Sequence, residues 1–320
     1  MMKNILITGI SGQDGLFLSS LLLNENVNIF GISRKINHKN FYYNLTKIKQ
    51  KFDMSRINLI DIDLLKYSDI ENLIKDINPY QIYNLSGPSS VYDSYFDNRK
   101  IENQIKSIFN NLTSSCIRSN IFPDFFQASS SEMYSNSENA ALDENSKFSP
   151  RSPYAKAKLY NHQKCLEFYE SYNWKIVSGI MFNHESEFRK DNYLFKKIIN
   201  GAKDISDNKA GFIEIGSLDY ERDWCFAGDV ANAIQLILNE GKHSTYVIGS
   251  GTSKKIKDLV MEVFTYYDLS LSENIKVNKT LLRDGDPKII IANPTRLKEE
   301  LGWQTSISFK DLVKRCIDKI

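Results

Sequence analysis

Short apolar runs recur along the chain, and the stretches between them carry helical periodicity. Lys3 to Thr8 (KNILIT), Asn28 to Ser33 (NIFGIS), Ile57 to Ile62, Gln81 to Leu85 (QIYNL), Asp124 to Ala128 (DFFQA), Lys175 to Ile180 (KIVSGI) and Thr245 to Ile248 (TYVI) read as strands. Ile101 to Arg118 and Tyr154 to Tyr172 read as the clearest helices. Strand and helix in alternation predict an α/β fold built on a doubly wound parallel sheet. In such a sheet ligands sit beyond the carboxyl ends of the strands. The residues that follow strands, Gly9 to Gly15, Ser86 to Ser90, Ser129 to Glu132 and Asn183, are therefore expected to converge on one crevice.

Past Phe182 the rhythm breaks. Asn183 to Glu221 and Thr252 to Ile320 read as a smaller C-terminal lobe that is discontinuous in sequence. Asp229 to Leu238 and Thr245 to Ile248 return to the main sheet between the two pieces. At 320 residues the chain exceeds what one simple core covers. The expected division is 1–182 with 222–251 for the sheet domain, and 183–221 with 252–320 for the lobe.

Composition narrows the function classes. A net charge of +2 gives no general pull toward nucleic acid or a membrane surface, so any phosphate binding must be local. Cys116, Cys165, Cys225 and Cys316 stand far apart and away from histidine, which reads as reduced packing residues rather than a metal site or a disulfide frame. His184 has no second histidine at ligand spacing, and no metal is expected. No apolar run is long enough to span a bilayer, and the opening MMKNILITGIS reads as strand and loop rather than as a signal peptide. The expected compartment is the cytoplasm.

Two motifs carry chemistry. The first strand runs into Gly9, Gly12 and Gly15: Gly9 allows the tight turn, Gly12 lets a pyrophosphate approach the backbone, and Gly15 lets the next helix pack on the strand. The helix start then offers free N–H groups to the phosphates. After the second strand, where an acid would bind the ribose hydroxyls of NAD, stand Arg34 and Lys35. A guanidinium suits a 2′-phosphate and favours NADP, with a solvated basic turn as the alternative. The second motif is Tyr154 and Lys158 in SPYAKAK, four apart on one helix face, where the ammonium is expected to favour the ionised phenol. A free phenol titrates near pH ~10, and each unit of depression takes about 1.4 kcal/mol.

GISGQDG, IYNLSGPSSV, ASSSEMY, SPRSPYAKAKLY, FNHES, RDW and the closing LGW together resemble the GDP-mannose 4,6-dehydratases, an extended short-chain dehydrogenase family with a Rossmann-like sheet, over almost the whole chain. The resemblance implies a hydro-lyase with tightly bound, internally recycled NADP. In that chemistry Tyr154 takes the proton of the sugar 4-hydroxyl while carbon 4 is oxidised. Glu132 then removes the carbon 5 proton and helps the 6-hydroxyl leave as water. Ser130, where the family usually has threonine, keeps the hydroxyl that polarises the 4-oxygen. The cofactor contacts implied are Gly9, Gly12, Gln13, Asp14, Gly15, Arg34, Asp63, Leu64, Leu85, Tyr154, Lys158 and His184. The substrate contacts implied are Ser89, Asn183, Arg189, Lys197, Arg222 and Arg283, with Asp286 standing for a family glutamate. A GDP-sugar partner and a homo-oligomer, dimer or tetramer, follow from the same resemblance; the charge balance and the lack of a spanning apolar run predict no nucleic-acid or membrane partner.

Departures from the family pattern bear on the substrate. Ser86 to Val91 and Ser94 to Phe96 replace a stretch that in the family carries glutamine, histidine and an acid. Ser135 replaces a glycine, and Glu187 to Asp191 (EFRKD) replaces a Pro-Arg-Arg-Gly-Glu run. GDP-mannose leads, and a related GDP-sugar such as a heptose stays open. A nucleotide-sugar epimerase or 4-keto reductase would need Tyr154 and Lys158 but not Glu132. A catalytically silent NADP-binding protein is the third reading.

Overall fold

The computed structural model describes residues 2–89, 91, 93–134, 141–282 and 286–319. In chain order its strands are β1 (Lys3–Thr8), β2 (Val27–Ser33), β3 (Ile57–Asp61), β4 (Gln81–Asn84), β5 (Asp124–Ser130), β6 (Ala141–Leu142) and β7 (Ile176–Met181). There follow β8 (Asn183–Glu185), β9 (Ile213–Ile215), β10 (Glu221–Phe226), β11 (Thr245–Ile248), β12 (Ser253–Lys255), β13 (Ile275–Val277) and β14 (Ile289–Ala292). Seven of them form one sheet in the order β11-β7-β5-β4-β1-β2-β3, with parallel neighbours throughout. β5 runs two residues further than its apolar run suggests, because Ser129 and Ser130 stay in register with Ile180 and Met181 of β7.

Helices cover both faces, as a parallel sheet requires. Gln13–Leu22 and Ala227–Glu240 bury Leu18, Leu22, Val230 and Ile234 on one side. Tyr67–Ile77, Asn98–Ser119 and Pro153–Tyr172 bury Ile70, Phe109, Leu112 and Cys165 on the other. All four cysteines are free and buried. Strand order reverses between β1 and β4, and that switch point is where the turn at Gly9 faces the segment after Asn84.

The turn is sterically exacting at two glycines. Gly9 has φ +73°, and a Cβ there would stand 3.0 Å from the Leu85 backbone. At Gly15 a Cβ would meet the Ile10 backbone at 2.5 Å, far inside contact distance. Gly15→Ala is therefore expected to cost about 1–3 kcal/mol of stability through forced backbone displacement. A chemical-denaturation midpoint equal to that of the parent would contradict this.

Beyond β7, a second apolar core gathers Phe195, Ile198, Trp224, Leu259, Val263 and Leu312. Trp224 packs between Phe195 and Phe309. β10 pairs with β8, β12 and β14, and β9 pairs with β13. Three details depart from the division read from sequence. β10, nearly all of it within 222–251, lies in the smaller sheet, with Trp224 in the second core. Ala141–Leu142, from the first segment, joins β14 in the smaller sheet. Leu297 and Trp303, from 252–320, pack in the core of the main sheet. The reason is the edge strand β11: the helix Thr295–Leu301 lies near it, with Arg296 donating to the Thr245 carbonyl at 2.9 Å. Among the described residues no helix is long and apolar enough to cross a membrane.

Candidate active site

The helix Pro153–Tyr172 starts where Ser152 caps it, its hydroxyl accepting from the Ala155 N–H at 3.0 Å, with proline in the first turn. That start aims Tyr154 and Lys158 at the carboxyl end of β5. Both are buried. The Lys158 ammonium donates to the Ala128 carbonyl at 2.7 Å and lies 5.6 Å from the centre of the Tyr154 ring. Ser130, the last residue of β5, hydrogen-bonds to the Tyr154 phenol, and the next turn, Ser131–Tyr134, carries Glu132 half-buried beside them.

The expectation that Lys158 draws the phenol below its ordinary pKa is overturned. Burial pushes Tyr154 well above it, the Ser130 hydrogen bond only partly opposes this, and the negative charge of Glu132 adds to the rise. Burial also lowers Lys158, to about 8, against a partial restoring pull from Asp14. A cation held by a carbonyl several ångströms away does not outweigh removal of the phenol from water.

The glycine turn opens onto a groove of about 1230 Å³. Gly9, Gly12, Gln13, Asp14, Arg34, Asp63, Leu64, Leu85 and Ser89 all line it; Gly15 does not, being packed against Ile10. Arg34 is exposed at the end of β2. The helix Gln13–Leu22 starts at Gly12 without a side-chain cap, leaving first-turn N–H groups toward the groove. The Gln13 side chain is spent elsewhere: it donates to the His184 carbonyl and accepts from the Ser186 hydroxyl, each at 2.9 Å.

His184 joins the two halves of the site. Its Nδ1 donates to the Phe182 carbonyl at 2.7 Å and its Nε2 faces an Asp14 carboxylate oxygen at 3.1 Å. Burial disfavours the charged imidazole, but the Asp14 charge and hydrogen bond prevail and raise its pKa. For Asp14 burial acts upward and His184 more strongly downward in sum with its other partners, so the acid stays ionised. Arg189 pairs with Glu185 at 3.1 Å, and its guanidinium lies 3.6 Å over the Tyr193 ring.

A second cavity of about 510 Å³ holds Ser130, Glu132, Tyr154 and Lys158. Asn183, His184, Arg189, Lys197, Arg222 and Asp286 line the same space. It adjoins the groove, since Asp14, Leu85, Ser89 and Arg189 line both. Lys197 donates to the Glu214 carbonyl at 3.1 Å. Arg222 pairs with Asp286 at 3.1 Å and donates to the Glu221 and Pro287 carbonyls at 2.8 and 3.0 Å. Arg283 and Ser135 lie outside the described residues.

Tyr193 was not legible from sequence. Its hydroxyl and that of Ser89 are 2.6 Å apart, tying together the walls of the two cavities across 104 positions of chain. No local pattern marks it, because its partner stands in the segment after β4 and meets it only in the folded chain.

A family model described as GDP-mannose 4,6 dehydratase matches residues 6–316. The GDP-mannose 4,6 dehydratase of Dictyostelium discoideum is 29% identical, with 99% of this chain and 95% of that protein covered. The Homo sapiens protein of the same name is 28% identical, with 98% and 90% covered. Among solved structures, RMD from Pseudomonas aeruginosa complexed with NADPH superposes with a TM-score of 0.80 at 21% identity, covering 100% of this chain and 97% of that one. dTDP-glucose 4,6-dehydratase from Bacillus anthracis, in complex with NAD, superposes with a TM-score of 0.84 at 17% identity, covering 99% and 96%. Likenesses at that identity establish the shared fold.

Proposed function

Because the chain belongs to the GDP-mannose 4,6-dehydratase family, we propose that it converts GDP-mannose to GDP-4-keto-6-deoxymannose, with NADP recycled inside each turnover. The observation that carries this reading is the presence of Glu132 in the same cavity as Ser130, Tyr154 and Lys158. Oxidation and reduction at one carbon need only the last three. Elimination needs a base as well.

The residues suit the dinucleotide. Gly9 and Gly12 keep side chains out of the turn, the uncapped helix start offers N–H donors for a pyrophosphate, and Arg34 on the groove offers a fork for a 2′-phosphate. When bound, NADP supplies a reversible two-electron acceptor for the sugar.

The chain's own groups move the protons. Tyr154 takes the 4-hydroxyl proton, which requires its own proton to leave first, and its raised pKa makes the nearby Lys158 charge necessary for that. Ser130, hydrogen-bonded to the phenol, orients the 4-oxygen. With carbon 4 oxidised, the carbon 5 proton is acidic; Glu132 accepts it and passes it to the departing 6-oxygen, so one carboxyl serves as base and then as acid. Asn183, Arg189, Lys197 and Arg222, with Asp286 fixing Arg222, hold the nucleotide end. We assign the cofactor to 1–182 with 222–251 and the nucleotide sugar to 183–221 with 252–320, and we place the protein in the cytoplasm as a homo-oligomer.

Incubating purified protein with GDP-mannose and related GDP-sugars, a heptose included, and following product mass tests the reading. Loss of one water without added reductant is expected. Reduced dinucleotide accumulating in step with an oxidised but otherwise intact sugar would refute it.

A further inference from the structure

On four neighbouring strands an apolar side chain is followed, two positions on and so on the same face, by a polar one. Leu6 precedes Thr8, Ile82 precedes Asn84, Phe125 precedes Gln127 and Ile176 precedes Ser178. The register sets these polar residues side by side: Thr8 opposite Asn84, Asn84 opposite Gln127, Gln127 opposite Ser178. A fully buried polar row thus crosses the sheet just beneath the site. Nothing in the proposed proton transfers uses it.

Its hydrogen bonds run in one direction. The Ser86 N–H donates to the Thr8 hydroxyl at 3.3 Å, and that hydroxyl donates to the Asn84 amide oxygen at 2.7 Å. The Ser86 hydroxyl donates to the same oxygen at 3.0 Å. The Asn84 amide nitrogen donates to the Gln127 oxygen at 2.7 Å, and the Gln127 nitrogen donates to the Ala128 carbonyl at 2.9 Å. That carbonyl is the one that holds the Lys158 ammonium at 2.7 Å. A carbonyl only accepts, so Gln127 must turn its NH₂ toward Ala128; its oxygen then obliges Asn84 to present NH₂, and the Asn84 oxygen is left to the two hydroxyls. Turning Gln127 over would set its oxygen against the Ala128 carbonyl and its NH₂ against that of Asn84, and turning Asn84 over would set the two amide oxygens against each other, with both amides buried.

The geometry points to Gln127 and Asn84 as positioning residues for Lys158: they orient and partly occupy the Ala128 carbonyl, and so connect the strand that opens the glycine turn to the acid/base lysine. The inference builds on the reading of Lys158 as part of the proton-transfer pair. With Gln127 taking a share of the carbonyl, the ammonium is held in place without being bound at full strength. Removing that neutral donor removes a positive hydrogen near the ammonium and leaves both lone pairs to the cation, which favours its charged form.

Gln127→Met and the double variant Asn84→Leu/Gln127→Met test this. The first readout needs no turnover: competitive acetylation of Lys158 across pH, read by mass spectrometry of its peptide. The parental midpoint near 8 is expected to rise by about half a pH unit or more in Gln127→Met. The second readout is kcat on the GDP-sugar, expected to fall about tenfold with KM held within about twofold, as misplacement of a reacting group does. The double variant, which leaves no lone amide facing a methionine, is expected to regain much of the thermal stability lost in the single one while keeping the altered titration. A midpoint that stays in place or falls, or a double variant that regains stability and parental titration together, would overturn the inference. If the parent dehydrates no GDP-sugar while the labelling shift is found, the proposed function fails and the positioning role stands.

Discussion

Glu132→Gln is expected to lower kcat for water loss by about 10²–10⁴-fold, the range that one general acid/base supplies. The amide matches the carboxylate in size but cannot accept the carbon 5 proton. Carbon 4 oxidation should survive, because Tyr154, Ser130 and Lys158 are untouched. It should even become easier to start, since the negative charge of Glu132 is one of the influences holding the Tyr154 proton in place. A stopped-flow trace of the variant with GDP-mannose is therefore expected to show reduced dinucleotide appearing within the site and persisting. Full dehydratase turnover by this variant would remove Glu132 from the mechanism.

Tyr154→Phe is expected to abolish the earlier step, lowering both dinucleotide reduction and dehydration by about 10²–10⁴-fold. The ring keeps its volume in a buried site, and the loss in the fold is confined to the bond with Ser130, about 1 kcal/mol. Activity and stability should thus separate cleanly, with dinucleotide affinity near that of the parent. In the parent, kcat/KM is expected to fall as pH rises through about 8, where Lys158 loses the charge that helps the phenol give up its proton. The sign follows from burial: desolvation lowers a lysine, so its charged form prevails below that pH and is lost above it. Parental turnover by Tyr154→Phe would end the assignment of the pair.

Neighbours along the chain were enough to reveal the parts of this protein whose cause is local. Apolar runs between helical stretches marked the strands, because period and composition decide whether a segment can be buried in a parallel sheet. Gly9, Gly12 and Gly15 marked the turn, because side chains at Gly9 and Gly15 would crowd the Leu85 and Ile10 backbones and one at Gly12 would crowd the Gly9 carbonyl. Tyr154 and Lys158 were visible as a pair because four residues make about one turn of helix.

What the fold alone decided are quantities set by distant partners. The phenol of Tyr154 is raised rather than lowered because the structure removes it from water, and no spacing records that. Asp14 meets His184 only after the sheet has brought opposite sides of the switch point together, and Ser89 meets Tyr193 only once the segments after β4 and β8 lie side by side. Leu297 and Trp303 serve the main core because the flank near β11 lay open to them. The row from Thr8 to Ser178 was present in sequence as four strands in which an apolar residue is followed two positions on by a polar one, but its meaning waited on register, which sets the four polar residues side by side beneath the site.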